Sequence, residues 1–159
     1  MKVKVKVPAT SANLGPGFDV AGLALTLYNT FTFELADQGL NITGCPEQFC
    51  NEENMTYQAF KQAAEICGLE YQGVNIECSG DVPYTRGLGS SSTCIVAGIV
   101  GAFAFKDKVE DRQEILELAT AIEGHPDNVA PAIFGGLTVS VMEEDNVLTL
   151  NIPVKHDYR

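Results

Sequence analysis

An α+β fold with a mixed, largely antiparallel sheet is what this sequence predicts, and three observations carry that expectation. Lysine and valine alternate from Lys2 to Val7, the period of a half-buried strand. Two further strand-like segments, Leu137–Met142 and Val147–Ile152, flank Glu143–Asn146 as a hairpin. Between these ends the apolar period shifts to 3.6 residues, so helices and strands are mixed rather than strictly alternating.

The elements follow in chain order. Pro8 closes the first strand, and a Gly/Pro-rich loop runs from Ala9 to Asp19. Val20–Leu35 is rich in β-branched and aromatic residues and reads as one or two strands. Asp37–Gly39 is a turn and Leu40–Thr43 a short strand. Asn54–Cys67 is a helix, with Met55, Ala59, Phe60, Ala63, Ala64 and Cys67 on one stripe and Gly68 as its stop. Val74–Cys78 alternates as a strand, and Gly80–Gly89 is a loop. Ser90–Phe105 is apolar nearly all round, which marks a buried helix. Asp111–Glu123 is amphipathic, and Asp111 with Glu114 resembles a capping box in which Asp replaces Ser or Thr. His125–Phe134 is a short helix entered through Pro126.

A chain of 159 residues with 45% hydrophobic content is sized for one domain with its own core. The net charge of −11 excludes a nucleic-acid partner, which is bound through a surplus of Lys and Arg. It leaves room for a single nucleotide, for which a few backbone N–H groups suffice. The longest apolar run, Cys94–Phe105, is 12 residues, short of the ~20 that span a bilayer, so no membrane partner is expected. The alternating N-terminus is a strand and carries no apolar signal-peptide core. Five cysteines, an odd number without a C-x-x-C pair, point to free thiols in a reducing cytoplasm rather than to a disulfide framework or zinc site. His125 and His156 are too few and too far apart for a histidine-rich metal site.

The most informative stretch is Pro83-Tyr84-Thr85-Arg86-Gly87-Leu88-Gly89-Ser90-Ser91-Ser92-Thr93. Two glycines permit positive φ and close approach of the backbone to a bulky anion. The helix that opens at Ser90 offers N–H groups without intrahelical partners, and its dipole favours negative charge. The hydroxyls of Ser90 to Thr93 add donors and a lone pair for Mg²⁺. Local physics alone leaves two readings equally open: a phosphate site, or a helix start capped by Ser and Thr. The stretch is neither a Walker A loop nor a Rossmann turn.

This loop resembles the signature loop of the GHMP kinases, with Ser92 where the family usually has Ala. Two more segments resemble the homoserine kinase branch: Pro8-Ala-Thr-Ser-Ala-Asn13-Leu-Gly-Pro-Gly-Phe-Asp19, and Glu123-Gly-His125-Pro-Asp-Asn128-Val-Ala-Pro131-Ala-Ile-Phe-Gly-Gly136. The resemblance spans essentially residues 1–159 as one N-terminal, ATP-binding domain with helices packed on one face of its sheet.

What the resemblance implies is transfer of the ATP γ-phosphoryl to the side-chain hydroxyl of L-homoserine, in threonine biosynthesis, with ATP and Mg²⁺ as co-substrate and cofactor. Residues Pro83 to Thr93 would wrap the ATP phosphates. Ser91 and Glu123 would hold Mg²⁺, with Glu117 as the alternative to Glu123. Asn13 and Asp19 would bind the amino acid, Asp19 pairing with its ammonium group. Their plain alternative is ordinary turn chemistry. Asn128 would hold the substrate hydroxyl. His125 is a proton acceptor or a core or capping histidine, and the sequence leaves both open. Asp127 has no lysine nearby with which to form the Asp–Lys base pair of some GHMP kinases, so direct attack by the hydroxyl is implied. A homodimer is an allowed assembly. GHMP kinases run to about twice this length, so a C-terminal domain carrying a glycine-rich motif and substrate-clamping arginines is expected after His156–Arg159, which follow what reads as the start of a further strand.

Overall fold

The computed structural model describes residues 1–143 and 146–153. Its elements are β1 (Lys2–Leu14), β2 (Gly17–Ala36), β3 (Gly39–Thr43), a single 3₁₀ turn (Glu47–Phe49), α1 (Met55–Cys67), β4 (Gly73–Gly80), α2 (Ser90–Ala104), α3 (Arg112–Glu123), α4 (Pro126–Phe134), β5 (Leu137–Glu143) and β6 (Asn146–Ile152). The expected hairpin between β5 and β6 is present, though Glu144 and Asp145 at its tip lie outside the described residues. So do His156 and the rest of the C-terminal stretch to Arg159.

Six strands form one sheet in the order β3-β4-β2-β5-β6, with β1 paired to β2. All pairs are antiparallel except β3 and β4, which run parallel across the α1 connection. The twenty-residue β2 organises the sheet. β1 lies along it from Leu14↔Gly17 to Lys2↔Glu34. The final eight residues of β2, Asn29–Ala36, pair with β4, and its Ala21–Leu23 pair with β5. Val5, Val7, Phe31, Phe33, Val74 and Ile76 turn inward to pack with the helices, as the expected one-sided α+β arrangement requires. The opposite face is wet: Lys2 pairs with Glu34 at 3.3 Å, and the Lys6 ammonium sits 4.1 Å from the Tyr28 ring centroid.

Two sequence expectations fail at the N-terminus. Pro8 does not end β1, and Ala9–Asp19 is not a loop but the body of a β-hairpin turning at Gly15–Pro16. Proline cannot donate to a ladder, but β1 is an edge strand, where a missing N–H is tolerated. The register shifts between Pro8 and Thr10, and both Ala9 and Thr10 are buried. Consecutive buried residues are the mark of a bulge, which re-aims the strand. Here it sends the Thr10 N–H to the Leu88 carbonyl at 3.1 Å, joining β1 to the loop before α2.

The helices begin where their caps place them. Asn54 caps α1, accepting from the N–H groups of Thr56 and Tyr57, so the helix starts one residue after the expected Asn54. Asp111 accepts from the Glu114 N–H at 3.0 Å, while its own N–H goes to the Lys108 carbonyl, so only half of the capping box forms. α2 is buried as expected and packs against α1 around Phe60. Phe60 stacks on Phe33 at 5.5 Å and meets Tyr71 and Phe105 edge-on. Phe60 is fully buried, and Phe60→Ala is expected to destabilise the fold by ~3–5 kcal/mol in urea unfolding. A loss below ~1 kcal/mol would show that this aromatic cluster is not the centre of the core.

Candidate active site

The loop before α2 turns through glycine into a helix start, the kind of geometry that suits an anion. Gly89 adopts φ 63° and ψ 34° and directly precedes α2, whose first two residues, Ser90 and Ser91, are half-buried. No side chain caps these N–H groups, so the plain capping reading loses its partner. A Cβ on Gly89 would lie 2.0 Å from Thr10 Oγ1 and 3.2 Å from Asn128 Oδ1. Glycine is therefore required twice, by the left-handed backbone and by the closeness of β1 and α4. Thr10 Oγ1 donates to Asn128 Oδ1 at 2.8 Å, so the loop, the β1 bulge and the start of α4 form one unit.

Two cavities flank this unit. One, of ≈ 400 Å³, is bordered by Asn13, Gly87, Gly89, Ser90, Ser91 and Asn128. The first turns of α2 and α4 both reach it, which places two positive helix ends beside one space. The other, of ≈ 410 Å³, has apolar walls from Phe31, Phe49, Met55, Val82 and Tyr84. Ser90, Ser91 and Thr85 border both. Among the described residues, neither cavity has a lysine or arginine in its wall.

Ser91 Oγ donates to Glu123 Oε1 at 2.8 Å, and Ser92 Oγ reaches the same oxygen at 3.3 Å. Cis ligands on an octahedral Mg²⁺ at about 2.0–2.1 Å stand about 2.9 Å apart, so the Ser91–Glu123 spacing fits two corners of such a site. Among the described residues no group of three or more His, Cys, Asp or Glu could hold a metal. Mg²⁺ here would need phosphate and water oxygens for its other corners, which is its usual habit. Glu117 instead accepts from Gln113 Nε2 at 2.7 Å, and Gln113 also bonds the Val147 carbonyl on β6.

The other sequence-predicted residues divide. Asn13 borders the smaller cavity, and its Oδ1 accepts from the Asp19 N–H at 3.0 Å, leaving its amide N–H₂ free to donate. Asn13 and Asp19 both have positive φ, 57° and 55°, a region that Asn and Asp tolerate better than most residues. Asp19 is exposed at the hairpin tip and lines neither cavity. His125 Nδ1 lies 2.6 Å from Asp127 Oδ1, and His125 also lines neither cavity. Tyr84 borders the larger cavity, whereas Pro83, Arg86 and Leu88 border neither. Ser92 and Thr93 are buried; Thr93 Oγ1 donates to the Ser90 carbonyl and accepts from Asn29 Nδ2. Their hydroxyls hold the helix start together rather than face a ligand.

Sequence reasoning missed three positions. Thr10 falls within Pro8–Asp19, a stretch whose composition suggests a loop. Asn29 sits mid-strand in β2 and also accepts from the Val82 N–H at 3.2 Å, fixing the loop entry. Asp127 is fully buried and its Oδ2 has no partner among the described residues. Its carbonyl would lie 1.7 Å from a Cβ on Gly22, so the close approach of α4 to β2 demands glycine there. Pro131, lacking an N–H, leaves that carbonyl without a helical partner. A polar residue in a strand and a proline in a short helix were the available signals.

A glycine-flanked helix start, a second helix N-terminus and a serine–carboxylate pair on an α+β frame make an arrangement suited to an anion such as phosphate. The family profile described as GHMP kinases N terminal domain matches residues 54–136, and the chain belongs to that family. A homoserine kinase from Clostridium beijerinckii is 51% identical over 155 residues, covering 97% of this chain and 52% of that protein. The crystal structure of a homoserine kinase from Cytophaga hutchinsonii superposes with a TM-score of 0.80 at 30% identity, over 97% of this chain and 52% of that one. A mevalonate kinase from Methanococcus jannaschii shares the fold, with a TM-score of 0.74 at 16% identity, over 97% of this chain and 56% of that one. The chain spans about half the length of the curated relatives it matches.

Proposed function

We propose that this chain supplies the ATP site and part of the acceptor site of a kinase that phosphorylates the side-chain hydroxyl of L-homoserine, giving O-phospho-L-homoserine for threonine synthesis. The observation that carries the proposal is the meeting of the two cavities at Ser90 and Ser91, under two helix N-termini and beside Glu123. The apolar cavity takes the nucleoside, and the phosphates cross the Gly87–Ser91 turn into the smaller cavity. With no lysine or arginine in either wall, phosphate charge falls to backbone N–H groups, helix dipoles and Mg²⁺. Mg²⁺ held by Ser91 and Glu123 would neutralise phosphate charge.

Phosphoryl transfer through a loose transition state asks mainly for alignment and charge stabilisation. Asn128 has its Oδ1 engaged by Thr10 and one amide N–H directed to Asp127 Oδ1 at 3.4 Å, so its remaining amide N–H is the group offered to a substrate hydroxyl. Asn13, held by Asp19, offers the same on the facing wall. His125 is tied to Asp127 and lines neither cavity, which speaks against the role of base. The proposal places the enzyme in the cytoplasm; among the described residues no helix is long and apolar enough to cross a membrane.

The test is ADP release with L-homoserine, mevalonate and galactose, measured on the 159-residue chain and on a chain extended to the length of its relatives. The extended protein should turn over L-homoserine, and the shorter chain should not. Activity on mevalonate or galactose without homoserine turnover overturns the substrate. In the same assay Asp19→Asn removes the charge but keeps a residue at ease with positive φ. A lost charge-assisted hydrogen bond of ~1.5–3 kcal/mol lowers kcat/KM for homoserine roughly 10- to 150-fold, with ATP affinity unchanged. An equal loss for ATP would place Asp19 in nucleotide binding instead.

A further inference from the structure

Four of the five cysteines gather at the apolar cavity, and the phosphoryl-transfer site uses none of them. Cys45, Cys78 and Cys94 line its wall, and Cys50 stands beside Cys45. The segment between β3 and α1 brings the last pair together. Phe49 and Cys50 return their N–H groups to the carbonyls of Pro46 and Glu47, at 2.8 and 3.0 Å. Asn54, while capping α1, donates Nδ2 to the Phe49 carbonyl at 2.8 Å. The turn is thus fixed from both ends, and it holds Cys45 Sγ 3.5 Å from Cys50 Sγ.

We propose that Cys45 and Cys50 form an oxidisable thiol pair, and that their disulfide restrains the wall of the nucleotide cavity. The second half rests on the nucleotide reading above. A disulfide needs an S–S distance of about 2.05 Å, so the sulfurs must close by only ~1.5 Å. That movement is confined to a six-residue turn containing Pro46 and Phe49, both on the cavity wall. Phe49 faces Tyr84 with ring centroids 6.1 Å apart, so displacing the turn changes the distance between opposed cavity walls.

The chemistry assigns the order of events. Cys50 is exposed and meets the oxidant first. Burial pushes the Cys45 thiol up to about 11 and the Cys78 thiol up to about 12, and it also raises Cys94. These three are poor first nucleophiles. With hydrogen peroxide as oxidant, the Cys50 thiolate attacks one oxygen: an S–O bond forms, the O–O bond breaks, and the departing hydroxide takes a proton to become water. Cys45 sulfur then attacks Cys50 sulfur. The S–S bond forms, the S–O bond breaks, and the second hydroxide takes the Cys45 proton. Two thiols are oxidised and one peroxide becomes two waters.

The test has two readouts. The full chain is treated with peroxide, blocked with N-ethylmaleimide, and cleaved after glutamate. Cleavage at Glu47 separates Cys45 from Cys50 unless a disulfide joins them, and the linked peptide is expected by mass spectrometry. Isothermal titration then compares ATP binding before and after oxidation. Affinity should fall about tenfold, ~1.4 kcal/mol, return with dithiothreitol, and stay constant in oxidised Cys50→Ser. A Cys45–Cys78 link, no link at all, or unchanged ATP affinity in the linked protein overturns the proposal. If the reduced protein binds no ATP, the nucleotide reading fails, and the peptide map alone decides the thiol pair.

Discussion

Gly89→Val abolishes nucleotide binding if the turn before α2 is the phosphate cradle. The residue has φ 63°, where a β-branched side chain is strongly disfavoured. Its Cβ would also collide with Thr10 Oγ1 at 2.0 Å, and that hydroxyl is already committed to Asn128. Relief of the collision moves either the β1 bulge, which holds Asn128, or the first turn of α2, and Asn128 and that turn border the smaller cavity. Isothermal titration with ATP measures the loss, and circular dichroism confirms that the sheet and helices survive. The double variant Gly89→Ala with Thr10→Ala separates the two causes. It removes the hydroxyl that Cβ meets but keeps the strained backbone, which costs about 1–2 kcal/mol. Partial recovery of binding relative to Gly89→Ala alone is expected. ATP affinity of the wild-type order in Gly89→Val would remove the loop from the nucleotide site.

The sequence revealed most where one physical period ran without interruption. The Lys–Val alternation placed Val5 and Val7 in the core, and the apolar run after Ser90 became the buried α2. The loop before α2 stood out as two glycines ahead of a hydroxyl-rich helix start, but local physics left a phosphate site and a capped helix equally open, and only the family resemblance chose between them. Residues Ala9–Asp19 were misread because composition says where a chain is able to turn, not where it must. Pro8 and the glycines of that stretch are tolerated at a sheet edge and a two-residue turn, and the strands pass through or meet there. That error hid Thr10, whose role depends on a bulge that no local pattern announces. The parallel pairing of β3 with β4 was equally hidden, since it is set by how α1 crosses between them. The Cys45–Cys50 contact rests on a turn held by Asn54 from outside, so cysteine spacing alone gave no hint of it.

Glu123→Gln is expected to lower kcat on the order of 10²-fold or more while leaving the fold intact. The magnitude is that of removing one preorganised electrostatic group from a charged transition state. Glutamine keeps an acceptor oxygen for the Ser91 hydroxyl, so the local bond at 2.8 Å survives and only the negative charge is lost. What fails is affinity for Mg²⁺, which prefers carboxylate to amide oxygen in a site with so few protein ligands. Glu117→Gln is the control. Six residues separate it from Glu123, which at 100° per residue sets the two about 120° apart around α3. Its carboxylate is spent on Gln113, which in turn bonds β6 rather than the phosphate loop. It should leave turnover unchanged. Competition of Mn²⁺ for the site, followed by electron paramagnetic resonance in the presence of ATP, reads metal binding apart from turnover. Glu123→Gln should release Mn²⁺ at lower ATP–metal occupancy than Glu117→Gln does. Normal turnover in Glu123→Gln beside an inactive Glu117→Gln would move the metal ligand two helical faces away and break its link to Ser91.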